Sequence, residues 1–271
     1  MELGAHPPDI GAGVSAPDVK VVIISRGRSD TIGRNALALF PYALVSVDER
    51  EVDTYAKVVP DEQLLPHPQF AQLSQIENWL HDQDLAEFVY WVADDVHSLR
   101  CLVGWRARSY RDPELIRGLL EVTAVCARDA GAYLFGFGHH MVPTYLNNDR
   151  PFALNAYVRE LYGFRRGHEL RADPNVEQHY DVDVALQALL KHRIIWRDDR
   201  WVFDSQLLGS AKGGEAGVRS QEAVDHAARA MVAKWGKWVT VDAPTKRFAG
   251  GGTLNWGKAK ATVINVQRRY S

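Results

Sequence analysis

The residues of this sequence best suited to chemistry are two adjacent carboxylates, Asp94 and Asp95, which follow the apolar run Phe88-Val89-Tyr90-Trp91-Val92 and Ala93. Adjacent carboxylates at the end of a strand can hold a hard divalent cation, Mg or Mn, that bridges the phosphates of a nucleoside diphosphate and neutralises it as a leaving group. The same pair can instead cap the turn that follows, so context must decide. A second apolar run, Val21-Val22-Ile23-Ile24, ends in Ser25-Arg26-Gly27-Arg28. There Gly27 permits close backbone approach, and Arg26 and Arg28 can fork onto a diphosphate or remain solvated loop arginines. Asp48 and Glu51 follow a third run, 43–47, where an acidic residue of a nucleotide-binding α/β fold accepts from base or ribose; a helix cap is the alternative. Gly213-Gly214 with Arg219 has the make-up of a loop that closes over a bound donor, or of a plain turn.

These residues need elements to position them, and the hydrophobic pattern supplies an alternation of strands and helices. Val21 to Ile24 and Phe88 to Val92 are continuous apolar runs of the kind buried on both faces of a sheet, and Ala43 to Val47, apolar but for Ser46, reads as another strand. Between them lie helix-compatible stretches near 30–40, through Tyr55, and over 70–84, where Leu73, Ile76 and Leu80 share a face. Asp112-Pro113 opens a helix with a stripe of Leu115, Ile116, Leu119, Leu120 and Cys126, stopped by Gly131. Further on we expect a strand near 132–137, a helix from about Asp181 to His192, paired short strands at Ile194–Trp196 and Trp201–Phe203, and a helix near 219–236. In an open α/β sheet the ligand crevice lies outside the carboxyl ends of the strands, which is where Asp94-Asp95 falls.

With 271 residues, 46% apolar and 24% charged, the chain can build one large α/β domain, and no apolar run approaches the ~20 residues that cross a bilayer. We expect residues 1–18 to be a flexible leader, 19–240 the domain, and 241–271 a basic extension packed on it. Cys101 and Cys126 are too few for a disulfide framework or a cysteine zinc site, which suits a cytoplasm. His139-His140 and His226 have no zinc spacing and are left out of any metal site.

Several short motifs, in order, resemble the TET-associated glycosyltransferases, a phage-type family that glycosylates hydroxymethylated pyrimidines in DNA. Ile23-Ile24-Ser25-Arg26-Gly27-Arg28 resembles the family's first strand and Ser-x-x-Arg-type loop. Val47-Asp48-Glu49-Arg50-Glu51 with Tyr55 resembles its second strand and acidic segment, and Val92-Ala93-Asp94-Asp95-Val96 its triple-aspartate metal motif. Arg150-Pro151-Phe152, Tyr180-Asp181-Val182-Asp183 with Leu186-Gln187, and Gly213-Gly214 with Arg219 continue the order, over about residues 20–235. The resemblance implies a GT-A-like fold with a Rossmann-type mixed sheet flanked by helices. It implies a nucleoside-diphosphate sugar donor, such as a UDP-sugar, held by Ser25, Arg26, Arg28, Asp48, Glu51, Asp94, Gly213, Gly214 and Arg219. Asp95 then holds the divalent metal, and Asp181 is the catalytic base that takes the acceptor's proton. For Asp181 and Asp183 the plain alternative is a pair of first-turn helix carboxylates. Ala93 departs from the first aspartate of the triple motif, and Glu77-Asn78 stands where Arg-Asn is expected.

The implied acceptor is a 5-hydroxymethylpyrimidine, 5-hydroxymethylcytosine first among them, in phage DNA. Lys234, Lys237, Lys246, Arg247, Lys258 and Lys260 interleave with Trp235, Trp238, Phe248 and Trp256, and such residues can neutralise phosphates and stack on bases, or simply form a solvated surface. Two rivals stand beside this reading: a GT-A-like transferase acting on a glycan or small molecule, and a degenerate member that binds DNA without turnover. We expect a monomer or small oligomer with no membrane partner.

Overall fold

A computed structural model of the chain describes residues 16–104, 106–138, 151–205, 220–241 and 254–255. Its centre is a ten-stranded mixed sheet. In chain order the strands are β1 (Val19–Ile24), β2 (Leu44–Asp48), β3 (Leu64–His67), β4 (Phe88–Ala93), β5 (Ser98–Val103), β6 (Arg106–Tyr110), β7 (Leu134–Gly138), β8 (Phe152–Ala153), β9 (Leu161–Arg165) and β10 (Trp196–Asp204). A separate two-stranded pair joins β11 (Thr240–Val241) to β12 (Leu254–Asn255). The helices are α1 (Ala36–Leu39), α2 (Val52–Tyr55), α3 (Leu73–Asp82), α4 (Pro113–Asp129), α5 (Tyr180–Lys191) and α6 (Gln221–Trp235).

Across the sheet the order is β3-β2-β1-β4-β9-β7-β10-β5-β6, with β8 on β10. The first four strands are parallel. β9 then enters antiparallel between β4 and β7, and β10 runs parallel to β7. Because β9 opposes β4, its first residue lies beside the carboxyl end of β4, where Val92 pairs with Leu161.

The apolar runs form buried strands because each feeds both layers. Val21 and Ile23 face a core with Ala36 and Leu39 of α1 and with Ile116, Leu120, Ala124 and Ala127 of α4. Val22 faces the opposite core, with Ile76 and Leu80 of α3, Leu186 and Leu189 of α5 and Met231 of α6. The α4 helix starts where Asp112 Oδ1 accepts from Glu114 N at 3.0 Å, with Pro113 in its first turn, and it ends before Gly131 at φ +77°. Gly163 in mid-strand β9 makes room for the Phe135 ring, which occupies the space a Cβ would need.

Two local expectations change. The helix near 30–40 is only the single turn α1, because Asn35 at φ −101°, ψ −109° is not helical. The two short strands expected around 194–203 are one nine-residue strand, β10. Its register shifts between Asp198 and Val202, where the Asp198 carboxylate takes up Arg200 N at 3.0 Å, Nε at 2.9 Å and Nη2 at 2.7 Å, so a local irregularity interrupts the apolar pattern without reversing the chain.

Candidate functional site

The carboxyl ends of β1, β2 and β4 and the start of β9 meet at one edge of the sheet, and the charged residues there are laced together. Asp94, 4% exposed, receives Ser25 Oγ on Oδ2 at 2.7 Å and Arg28 Nη1 on Oδ1 at 2.5 Å. Tyr55 of α2 accepts Arg28 N at 3.0 Å and lies 2.7 Å from Ser25 Oγ. Since the serine proton already goes to Asp94, the tyrosine hydroxyl is the donor of that bond. Gly27, at φ +66°, gives its amide to Glu51 Oε2 at 3.2 Å, so the left-handed turn that only glycine adopts freely folds the loop back over α2. Arg28 thus sits on a scaffold made by two parallel strands and the helix between them.

Arg28 also reaches Asp95, with Nη1 3.3 Å from Oδ2. One guanidinium facing two carboxylates leaves net negative charge in a poorly solvated place. Burial, the Asp94 charge and the Glu160 charge push the Asp95 carboxyl up to about 6, against the pull of Arg28. Burial likewise raises Asp94, again opposed by Arg28 and Ser25. No group of three or more His, Cys, Asp or Glu among the described residues forms a metal cage. The donor set instead fits a divalent cation brought in with a diphosphate: Asp94 is engaged through both oxygens, while Asp95 offers one carboxylate with excess charge. Mg2+ and Mn2+ sites in nucleotide enzymes commonly use one or two carboxylates plus the phosphates.

The other nucleotide candidates flank this centre. Arg26 Nη1 reaches the Ala71 carbonyl at 3.3 Å across the mouth between β1 and α3. Asp48 is buried, and its carboxylate accepts Arg50 N at 3.0 Å, Nε at 2.8 Å and Nη2 at 2.6 Å, which holds it down at about 2. A nucleotide would therefore meet an Asp48 already clasped by its own neighbour. Gly213, Gly214 and Arg219 lie outside the described residues, as do Lys246, Arg247, Lys258 and Lys260.

Asp181 lies in the first turn of α5, its Oδ1 accepting Val182 N at 2.8 Å, and lines a small cavity with Val158, Tyr162 and Tyr180. Burial raises its pKa, Arg159 pulls it down and Glu160 adds to the rise. Asp183 is wholly buried and bonded to Gln187, Lys234 and Trp235, so it joins α6 to α5. Lys234 is consumed in the same contact, with Nζ 2.9 Å from both Asp173 and Asp183. Lys237 stays exposed over the Trp238 ring at 4.8 Å.

Sequence reasoning did not single out Arg159 and Glu160. Their link to the centre is a backbone bond, Ala93 N to Glu160 O at 3.1 Å, and a φ of +64° at Glu160. Neither leaves a trace in composition or spacing. Glu77 is 1% exposed and accepts the Tyr162 hydroxyl, while Asn78 exchanges hydrogen bonds with the Ala172 backbone at 2.8 and 2.9 Å. The Glu77-Asn78 pair therefore stitches α3 to the chain ahead of α5.

The sequence matches no protein-family model and no curated protein sequence. Among solved structures, residues 1–349 of Staphylococcus aureus TarS in complex with UDP-GlcNAc match with a TM-score of 0.52 at 11% identity, over 80% of this chain and 66% of that one. Mannosyl-3-phosphoglycerate synthase from Rubrobacter xylanophilus matches with 0.48 at 12% identity, over 88% and 84% of the two chains. The mannosyltransferase PcManGT from Pyrobaculum calidifontis, in complex with GDP-Man and Mn2+, matches with 0.46 at 11% identity, over 86% and 80%. At such identities the likeness is one of fold, and the TarS match carries it: the chain has a GT-A-like mixed α/β sheet flanked by helices.

Proposed function

We propose that the chain is a metal-dependent glycosyltransferase that moves a sugar from a nucleoside-diphosphate donor to a hydroxyl. The observation that carries this reading is the constellation of Asp94 and Asp95 at the end of β4, with Arg28 bridging both and Ser25 and Tyr55 fixing Asp94. Such an array suits a diphosphate with its cation, and the shared fold supports a nucleotide sugar as the molecule that brings them.

In this reading Arg26 and Arg28 contact the donor phosphates, Asp94 holds Arg28 in place, and Asp95 binds Mg2+ or Mn2+ with the donor. Bound there, the cation would neutralise the charge that develops on the leaving diphosphate. Ser25, Asp48 and Glu51 shape the nucleotide side, with Gly213, Gly214 and Arg219 as the closing loop. Asp181 receives the acceptor proton; its raised pKa brings it nearer to neutral pH, where a general base works best. The resemblance in the sequence favours a 5-hydroxymethylpyrimidine in DNA as acceptor, met by Lys237, Lys246, Arg247, Lys258 and Lys260. Lys234 is the weaker candidate there because Asp173 and Asp183 hold its charge.

Glu77 bears on the reading of an inactive DNA binder. It is a buried acid bonded to Tyr162, so in this chain the position packs α3 against β9. The test is transfer of radiolabel from a panel of nucleoside-diphosphate sugars to hydroxymethylcytosine DNA, unmodified DNA and free glycans, with Mn2+, Mg2+ or chelator. Metal-dependent label on modified DNA alone, lost in Asp95→Ala, is the expected result. Label on glycans alone would overturn the DNA acceptor, and donor binding without transfer to anything would overturn the enzyme.

A further inference from the structure

Glu160 is tied to the centre through its backbone. The bond from Leu161 N to Arg159 O, at 2.7 Å, closes a three-residue turn around it, and its own φ is +64°. This is the γ-turn geometry that is rare and strained, and a glutamate gains nothing from it sterically. The turn is held from outside: Glu160 O accepts Ala93 N at 3.1 Å, immediately before Asp94, and β9 leaves on the far side paired to β4. The side chain is equally fixed. Arg159 Nε and Nη2 both bond Oε1 at 3.0 Å, whereas Oε2 has no bonding partner among the described residues.

An acid with one oxygen clamped and the other free is set up to receive a hydrogen bond from an O–H. Its surroundings say whose. Glu160 O holds Ala93 N beside the Asp94-Asp95 pair, at the diphosphate side, while Val158 and Tyr162, two residues before and after Glu160, line one small cavity with Asp181, at the acceptor side, so Glu160 adjoins both. In a single inverting displacement, the route that uses Asp181 as base, the leaving phosphate and the incoming hydroxyl are on opposite faces of the anomeric carbon, with the sugar ring between them. We infer that Glu160 is a donor-specificity residue, its Oε2 accepting a hydrogen bond from a hydroxyl of the transferred sugar. The inference rests on the glycosyltransferase reading and adds the residue that selects the sugar.

The test compares donors with and without the sugar. Isothermal titration of the full chain with Mn2+ and UDP, UDP-GlcNAc, UDP-glucose, GDP or GDP-mannose is run on wild type and Glu160→Gln. The expected result is a loss for the sugar conjugate that exceeds any change for the bare nucleotide by about 10- to 100-fold, the range for a hydrogen bond to a charged group. Donors deoxygenated at single ring positions give a second measurement on the unaltered protein: one position should bind weakly, and Glu160→Gln should not distinguish that donor from its parent. Equal loss for nucleotide and conjugate, no loss for either, or a wild type that binds UDP and UDP-sugars alike would overturn the assignment. A wild type that binds no nucleotide at all would remove the glycosyltransferase reading along with it.

Discussion

Arg28→Met should expose how much of the site is held by one cation. Its side chain and that of Asp94 are 15% and 5% exposed, so the pair is largely out of water. Removing one partner of a buried pair costs ~3–5 kcal/mol, since the other charge stays desolvated. Ser25 still donates to Asp94, which points to the lower end, about 3 kcal/mol. For a domain of this size that is a fall in Tm of roughly 6–12 °C. The loss must depend on pH, and its sign is fixed. Burial already raises Asp94 above its ordinary value of 3.8, and without Arg28 the opposing pull disappears. The folded variant then keeps a proton that the unfolded chain releases, so its stability falls as pH rises through the interval between those two pKa values. The deficit against wild type should therefore shrink on acidification, and Asp94→Asn in the Arg28→Met background should restore most of it at pH 7. Thermal and urea unfolding at pH 7.5 and pH 5 measures all three. A deficit below about 0.5 kcal/mol, or one independent of pH and untouched by Asp94→Asn, would refute the reasoning.

Three further outcomes follow from the same geometry. Asp95, pushed up to about 6, must shed its proton to take a cation, so Mn2+-dependent nucleotide binding should weaken as pH falls below that value, by up to ~10-fold per unit, with proton release seen by calorimetry in two buffers. Lys234→Met should lower stability by about 2–3 kcal/mol by stranding the buried Asp183, yet leave the salt dependence of DNA binding in fluorescence anisotropy unchanged. Gly163→Ala should cost ~1–3 kcal/mol in urea unfolding because the new Cβ meets the Phe135 ring, and a compensating Phe135→Leu should return part of it.

Strands buried on both faces announce themselves, and β1, β2 and β4 do so through Val21-Val22-Ile23-Ile24, Leu44-Val45-Ser46-Val47 and Phe88-Val89-Tyr90-Trp91-Val92. The hairpin of β5 and β6 is harder to read, because its outer strand Arg106-Ala107-Arg108-Ser109-Tyr110 is an exposed edge with charge where a core strand would be apolar. β9 is harder still: Leu161-Tyr162-Gly163-Phe164-Arg165 is short and broken by a glycine whose reason, the Phe135 ring, is on another strand. The site divides in the same way. Ser25, Arg28, Asp94 and Asp95 are polar residues just past apolar runs, so position alone nominates them. That Asp48 is clasped by Arg50, that Lys234 is spent on Asp183, and that Glu160 turns toward Asp94 are long-range or dihedral facts without a sequence pattern.

The antiparallel insertion of β9 has a consequence for how the chain reaches its native state. β4 has β1 on one side, but its other edge and both edges of β7 find partners only when residues 161–165 and 196–204 arrive. The β5-β6 hairpin follows β4 in the chain yet docks on β10, so it too waits for residues 196–204. A nascent or truncated chain ending before residue 160 thus carries two apolar strands with open edges, the form of β-structure most prone to pairing with another molecule. Strand β9 fills the gap between β4 and β7 and, through the bond from Ala93 N to Glu160 O, sets Glu160 beside Asp94-Asp95. Until residues 161–165 are in place, nothing fixes Glu160 beside the two aspartates.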